Sequence, residues 1–302
     1  MTRYARKYRR IARKLSRLEL METSMSTFDD LGDPRTLFDA GPSRRFLDYY
    51  GDEGLRRAFE LYGLFDAARE RGYDDFDVVT KADDDRHTLW ITGTHPTLDD
   101  RLTLVELVVR RDRLVPDDGC GLDRPFDVLT VDWLTLRHPV ARFTVERPRL
   151  PGQDAPGLGL GELVLELLYR ATERLRLDGL LTVAEYFHNA VLYRRELAFF
   201  DAEAGGVCLA LEDALLGRER LTLARASWAV EWGFVRDDAG EIVRWQGDAQ
   251  VRALTSTLEE YVTSDEHRRA VREHAVRWSF VLDREAFEAR WAEEAPALEG
   301  RA

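Results

Sequence analysis

The chain has 302 residues, 44% of them hydrophobic, and carries a formal net charge of −12, which is length and apolar content enough for a sizeable core. It contains no run of about 18 apolar residues to span a bilayer, and the stretch Met1–Arg17 lacks the apolar segment of a secretory signal. Its two cysteines, Cys120 and Cys208, stand far apart without metal-ligand spacing, so the expectation is a cytoplasmic protein with free thiols, no disulfide and no metal.

The charge is unevenly spread. Residues 1–17 hold eight basic side chains (Arg3, Arg6, Lys7, Arg9, Arg10, Arg13, Lys14 and Arg17) and no acid. Taking those eight from the total of 44 leaves 36 basic groups against 56 acidic ones in the remainder. Tyr4, Tyr8, Ile11, Leu15 and Leu18 recur at helical spacing in this arm, predicting a basic amphipathic helix. Such a helix either docks on the acidic body or contacts an anionic membrane or RNA through residues 3–17. After a loop at Gly32–Pro42, the stripe Phe46, Tyr50, Leu55, Phe59, Tyr62 and Phe65 predicts a second helical stretch, with Gly72 as its stop signal. Residues 1–74 therefore form a helical N-terminal region.

The period changes over residues 75–212. Phe76–Thr80 and Thr88–Thr92 read as a hairpin around the acidic turn Asp83–Asp85, followed by strands at Leu102–Val109 and Val128–Leu136. A Pro/Gly-rich loop, Pro148–Gly161, opens into a helix over Glu162–Arg176. A strand at Gly179–Ala184, a helix at Phe187–Glu196 and a strand pair near Phe199 and Val207–Leu211 complete the region. This order predicts an α/β (α+β) core with a mixed sheet. Residues 213–302 return to helical patterns at Leu221–Phe234, Ala249–Val262 and Glu266–Leu282. A turn at Asp237–Gly240 and the segment Ile242–Trp245 interrupt them. Trp228, Trp232, Trp278 and Trp291 fall on the faces expected to be buried.

The chemistry is expected in the loop Leu150-Pro-Gly-Gln-Asp-Ala-Pro-Gly-Leu-Gly-Leu-Gly161. Glycines ahead of a helix let backbone amides converge where the helix N-terminus supplies partial positive charge, which suits a pyrophosphate. The loop has neither the Lys-Ser/Thr of a P-loop nor the glycine spacing of a dinucleotide fingerprint. Gly157-Leu158-Gly159 before a helix, then a strand, then a helix with Asn189 and Tyr193, resembles the acyl-CoA-binding core of the GNAT superfamily of N-acyltransferases. Asp154 stands where that family has Arg or Gln, with Gln153 one residue away, and Ala198 stands where it has Gly.

The resemblance implies that acetyl-CoA or another acyl-CoA binds at Gly157, Leu158, Gly159, Leu160 and Gly161, with Asn189 on the pantetheine arm. It also implies that Tyr193 is the general acid for the leaving thiolate. An acceptor amine must lose a proton before it attacks. Glu185 and His188, at a strand-to-helix junction, are the candidate bases, and Asp132 and His138 flank the central strand. The acidic body would favour a cationic acceptor, either a small molecule such as a polyamine or an aminoglycoside, or a protein lysine. The competing expectation is a non-catalytic binding or regulatory module of the same fold, with the basic arm as its address. His267 and His274, seven residues apart, have no evident third ligand.

Overall fold

The structure is a computed structural model that describes residues 4–22, 45–83, 85–117 and 120–301. The loop expected at Gly32–Pro42, and Arg3 of the arm, lie outside the described residues. The chain is a mixed α/β protein. It forms two compact units, the first comprising Met1–Val115, Asp127–Arg137 and Gly157–Leu177, the second Pro116–Phe126, His138–Pro156 and Asp178–Ala302. Among the described residues no helix is long and apolar enough to cross a membrane.

The first unit opens with α1 (Ala5–Ala12) and α2 (Arg17–Met21), the latter started by a capping box between Ser16 and Glu19. The apolar stripe of the arm turns inward: Ala5, Tyr8 and Leu15 are buried, and the Tyr8 ring packs on Tyr62 at 4.7 Å between centroids. Leu18, assigned to that stripe, is instead 80% exposed. The basic side chains from Arg6 to Lys14 remain on the outside.

Next come α3 (Asp52–Tyr62) and α4 (Leu64–Arg69), separated by the left-handed Gly63. All six aromatic and aliphatic residues of the expected stripe from Phe46 to Phe65 are buried, but the helix begins only at Asp52. Phe46 and Tyr50 instead close a tight turn as a β-bridge, with Leu47 and Asp48 at positive φ. The Leu47 N–H donates to the buried His87 Nδ1 at 3.0 Å, a long-range bond that holds this turn out of the helix.

Strands β1 (Asp74–Asp83) and β2 (Arg86–His95) form the expected hairpin, with Val78 opposite Ile91. Strand β3 (Leu98–Leu114) pairs antiparallel with β2, placing Leu89 opposite Leu107. β4 (Phe126–Leu136) follows in the order β1-β2-β3-β4. The ion pairs Arg113–Asp127 (3.4 Å) and Arg110–Asp132 (3.1 Å) advance in opposite directions along β3 and β4, so that pair is antiparallel as well. Helix α5 (Gly161–Arg174) completes the unit.

In the second unit β5 (Gly179–Val183) leads into α6 (Phe187–Tyr193), β6 (Ala198–Phe199) and α7 (Ala202–Glu212), which widens into a π-helical stretch at Asp213–Arg218. Then follow α8 (Leu223–Glu231), β7 (Val235–Arg236), β8 (Ala249–Ala253), α9 (Ser256–Thr263), α10 (Asp265–Ala275), β9 (Val281–Leu282) and α11 (Arg284–Leu298). β8 lies between β5 and β6 and runs antiparallel to both, with Val251 opposite Leu181 on one side and Ala198 on the other. β7 pairs with β9. The core gathers Leu211, Leu215, Phe287 and Trp291, and Trp228, Trp232 and Trp278 pack against it.

Three expectations in this unit are overturned. The helical pattern expected over Glu266–Leu282 stops at Ala275, and Val281–Leu282 pairs with β7 as a strand. Val207–Leu211 is helical, not a strand: Asp201 caps the helix by accepting from the Ala204 N–H at 2.7 Å, and Gly205 and Gly206 let α7 lie directly on α10. A short run of small and apolar residues buried on every side carries no period to separate helix from strand. Ala249–Ala253 is a strand, not the start of a helix. Its Gln250, fully buried, donates from Nε2 to the Ala190 carbonyl at 3.1 Å, and α9 starts only at Ser256.

Candidate functional site

The glycine loop belongs to the first unit. It leaves β4 through a bridge between Arg137 and Gly157, and the Leu158 N–H donates to the Leu136 carbonyl at 2.9 Å. Leu158 and Leu160 are buried, so they anchor the loop, while Gly157, Gly159 and Gly161 are exposed. Gly159 adopts φ 71°, a left-handed conformation that favours glycine. Helix α5 then starts without a side-chain cap, and the amides of Gly159, Leu160 and Gly161 meet no acceptor among the described residues. Orphan N–H groups at such a helix start, with the dipole behind them, favour an anion.

A second element adds charge here. The Arg71 guanidinium, just beyond α4, stands 3.4 Å from where a Cβ at Gly159 would lie, and it also donates to the Ala67 carbonyl. Arg71 was not among the residues singled out in the sequence. It precedes the loop by more than eighty positions in an arginine-rich chain, and no local pattern marks it.

Glu185, His188, Asn189 and Tyr193 belong to the second unit. Glu185 is exposed just after β5, and His188 is buried in the first turn of α6, 3% exposed. The His188 ring stacks on Tyr186 at 5.6 Å, and its Nδ1 has no hydrogen-bond partner among the described residues. Burial drives its pKa down to about 4. At neutral pH the imidazole is therefore uncharged and a weak proton acceptor, which counts against His188 as the base.

Asn189 and Tyr193 lie one turn apart on the same face of α6. Tyr193 packs against the core, and burial raises its hydroxyl pKa, so it stays protonated at neutral pH. Tyr186 was also missed. Its ring abuts Gly152, where a Cβ would fall 2.5 Å from ring atom Cε2, and Gly152 itself has φ 75°. Burial and the adjacent Glu185 carboxylate push the Tyr186 hydroxyl pKa up.

The remaining candidates have structural partners. Asp132 pairs with Arg110 at 3.1 Å and Arg86 at 3.5 Å. His267 Nε2–H donates to the Phe199 carbonyl at 3.0 Å. Among the described residues no three His, Cys, Asp or Glu side chains gather as a metal-binding group. Cys208 is buried and its thiol is pushed up to about 12, and Cys120 is also free. No protein-family model matches the chain, and no curated protein matches it.

Proposed function

We propose that the chain is an acyl-CoA-dependent N-acyltransferase that holds the pyrophosphate of its donor on the Gly157–Gly161 loop. The observation that carries this reading is the set of unpaired amides at Gly159, Leu160 and Gly161 beside the Arg71 guanidinium. Fixed amides and a guanidinium suit phosphate oxygens, because charge-assisted bonds to an anion are the strong ones. In the reaction an acceptor amine adds to the thioester carbonyl, the C–S bond breaks as the amide forms, the amine gives up a proton and the thiolate takes one.

Tyr193, protonated at neutral pH, is in the state a general acid requires. Glu185 is the better candidate base, since it is exposed while His188 is buried with a depressed pKa. Asn189 takes the pantetheine arm. The donor is acetyl-CoA or a longer acyl-CoA, and the acceptor is a cationic amine, drawn by the net charge of −12. Free Cys120 and Cys208 fit a cytoplasmic setting.

Thermal unfolding with a series of acyl-CoAs tests the reading. A donor at a hundredfold excess over its Kd should stabilise the native chain by about 2.7 kcal/mol. Gly159→Val and Arg71→Gln should each diminish that shift, and a positive result justifies an acceptor screen. If no acyl-CoA raises the midpoint, the enzyme reading fails.

A binding or regulatory module is favoured by one observation: His188 is held neutral, and Asp132 on β4 is engaged in ion pairs. In that case the exposed basic face of α1 would carry contact with an anionic membrane or RNA. Arg6→Glu with Arg10→Glu should then abolish that association, and neither the variant nor the parent chain should transfer an acyl group.

A further inference from the structure

The first unit encloses a cavity of about 80 Å³. Its walls come from α2, α3, β2, β3 and α5 and include Leu20, Phe59, Leu89, Ile91, Leu107 and Leu168. The space is several times the roughly 10–15 Å³ that one water needs, yet such walls give water few of its two to four polar partners. An apolar group fills it better.

One end of the cavity is polar. Arg170 and Arg174 of α5 line both the cavity and a depression on the outside that also holds Arg9 and Arg13. The Arg170 side chain is 8% exposed, pairs with Glu166 at 3.0 Å and Glu173 at 2.6 Å, and keeps a buried Nε–H without an acceptor among the described residues. Arg174 donates to the Ala12 and Leu15 carbonyls at 2.9 and 3.1 Å, which ties the end of α1 to α5. Four arginines and one acid, Glu173, line this opening, and the balance is positive. An apolar chamber that the described residues leave open, behind a guanidinium with a spare donor, matches an amphiphile with one anionic end.

We propose that this cavity binds a short-chain aliphatic carboxylate, the alkyl chain inside and the carboxylate at Arg170 with Arg9 and Arg13. The inference is independent of the acyl-CoA reading, because Arg71 and the glycine loop do not line this cavity. Burial of the chain supplies a non-directional driving force, and the Arg170 Nε–H together with the exposed Arg9 and Arg13 guanidinium groups supplies selectivity for an anion.

The test is thermal unfolding of the full chain with butyrate, hexanoate or octanoate, against 1-hexanol and against acetate at matched ionic strength. One or more of the longer carboxylates should raise the midpoint, while acetate and 1-hexanol should not. The double variant Arg9→Glu, Arg13→Glu alters two exposed side chains and should weaken carboxylate binding about tenfold. Ala171→Leu, which places extra carbon in the cavity wall, should shift the preference to shorter chains. Arg71→Gln should leave the carboxylate response intact, which separates this site from the glycine loop. A midpoint unmoved by any carboxylate, an equal response to 1-hexanol, or full binding by the Arg9, Arg13 variant would overturn the proposal.

Discussion

At Gly157 and Gly161 of the first unit an added Cβ would meet nothing nearer than 3.8 and 3.9 Å. At Gly206 of the second unit it would lie 2.5 Å from the His274 Cβ and 2.8 Å from the Ala275 backbone nitrogen. The first pair leaves backbone amides facing open space. The second position lets two helices touch. Both clusters look alike as letters, so glycine content does not distinguish a ligand-ready loop from a helix contact. What distinguishes them is the presence of space and unpaired donors in one place and of a neighbouring backbone in the other.

The comparison breaks most visibly at Gly206. Gly206→Val must push α10 away from α7 and should cost about 3 kcal/mol in urea unfolding. If it is tolerated, the helices are not in the contact described. The buried His188 comes next. Its folded pKa of about 4 lies below the ordinary value, so the unfolded chain takes up the proton first as pH falls. Stability should therefore drop by roughly 3 kcal/mol between about pH 6.5 and pH 4 on its account. His188→Gln should flatten that part of the stability–pH curve.

The loop should respond more gently. Gly159→Val places a β-branched residue at φ 71°, at a cost of about 1–2 kcal/mol, and should diminish the acyl-CoA shift in melting temperature. Asp132→Asn breaks exposed ion pairs with Arg86 and Arg110. It should change stability by about 1 kcal/mol or less in the same denaturation assay. Gly161→Ala sharpens the contrast with Gly206 from the other side. It should be neutral or stabilise by up to about 1 kcal/mol, with acyl-CoA binding retained, since the amide stays in place.

Much of the first unit was readable along the chain. The β1–β2 hairpin, β3, β4 and the start of α5 all follow from alternation, β-branched residues and turn chemistry within a few positions of each other. The loop at Gly157–Gly161 was legible for the same reason. Arg71 was not, because its place beside Gly159 depends on how α4 and α5 settle in the unit. The candidate bases show the same limit. Their residue types and their strand-to-helix junction were visible, but the burial that holds His188 neutral and the ion pairs that engage Asp132 are properties of neighbours distant in sequence.

The second unit marks the boundary more sharply. Its tryptophans were expected to be buried because a large apolar ring at helical spacing has few other places to go. Whether Val207–Leu211 would be helix or strand, and Ala249–Ala253 strand or helix, depended on α10 in the first case and on β5 and β6 in the second. The sequence by itself determined the elements whose stabilising partners lie within a turn or a hairpin. The tertiary structure decided those whose partners lie many positions away: the identity of α7 and β8, the charge beside the glycine loop, and the protonation of His188. Short apolar runs satisfy either backbone geometry, and only the surrounding surface that buries them selects one.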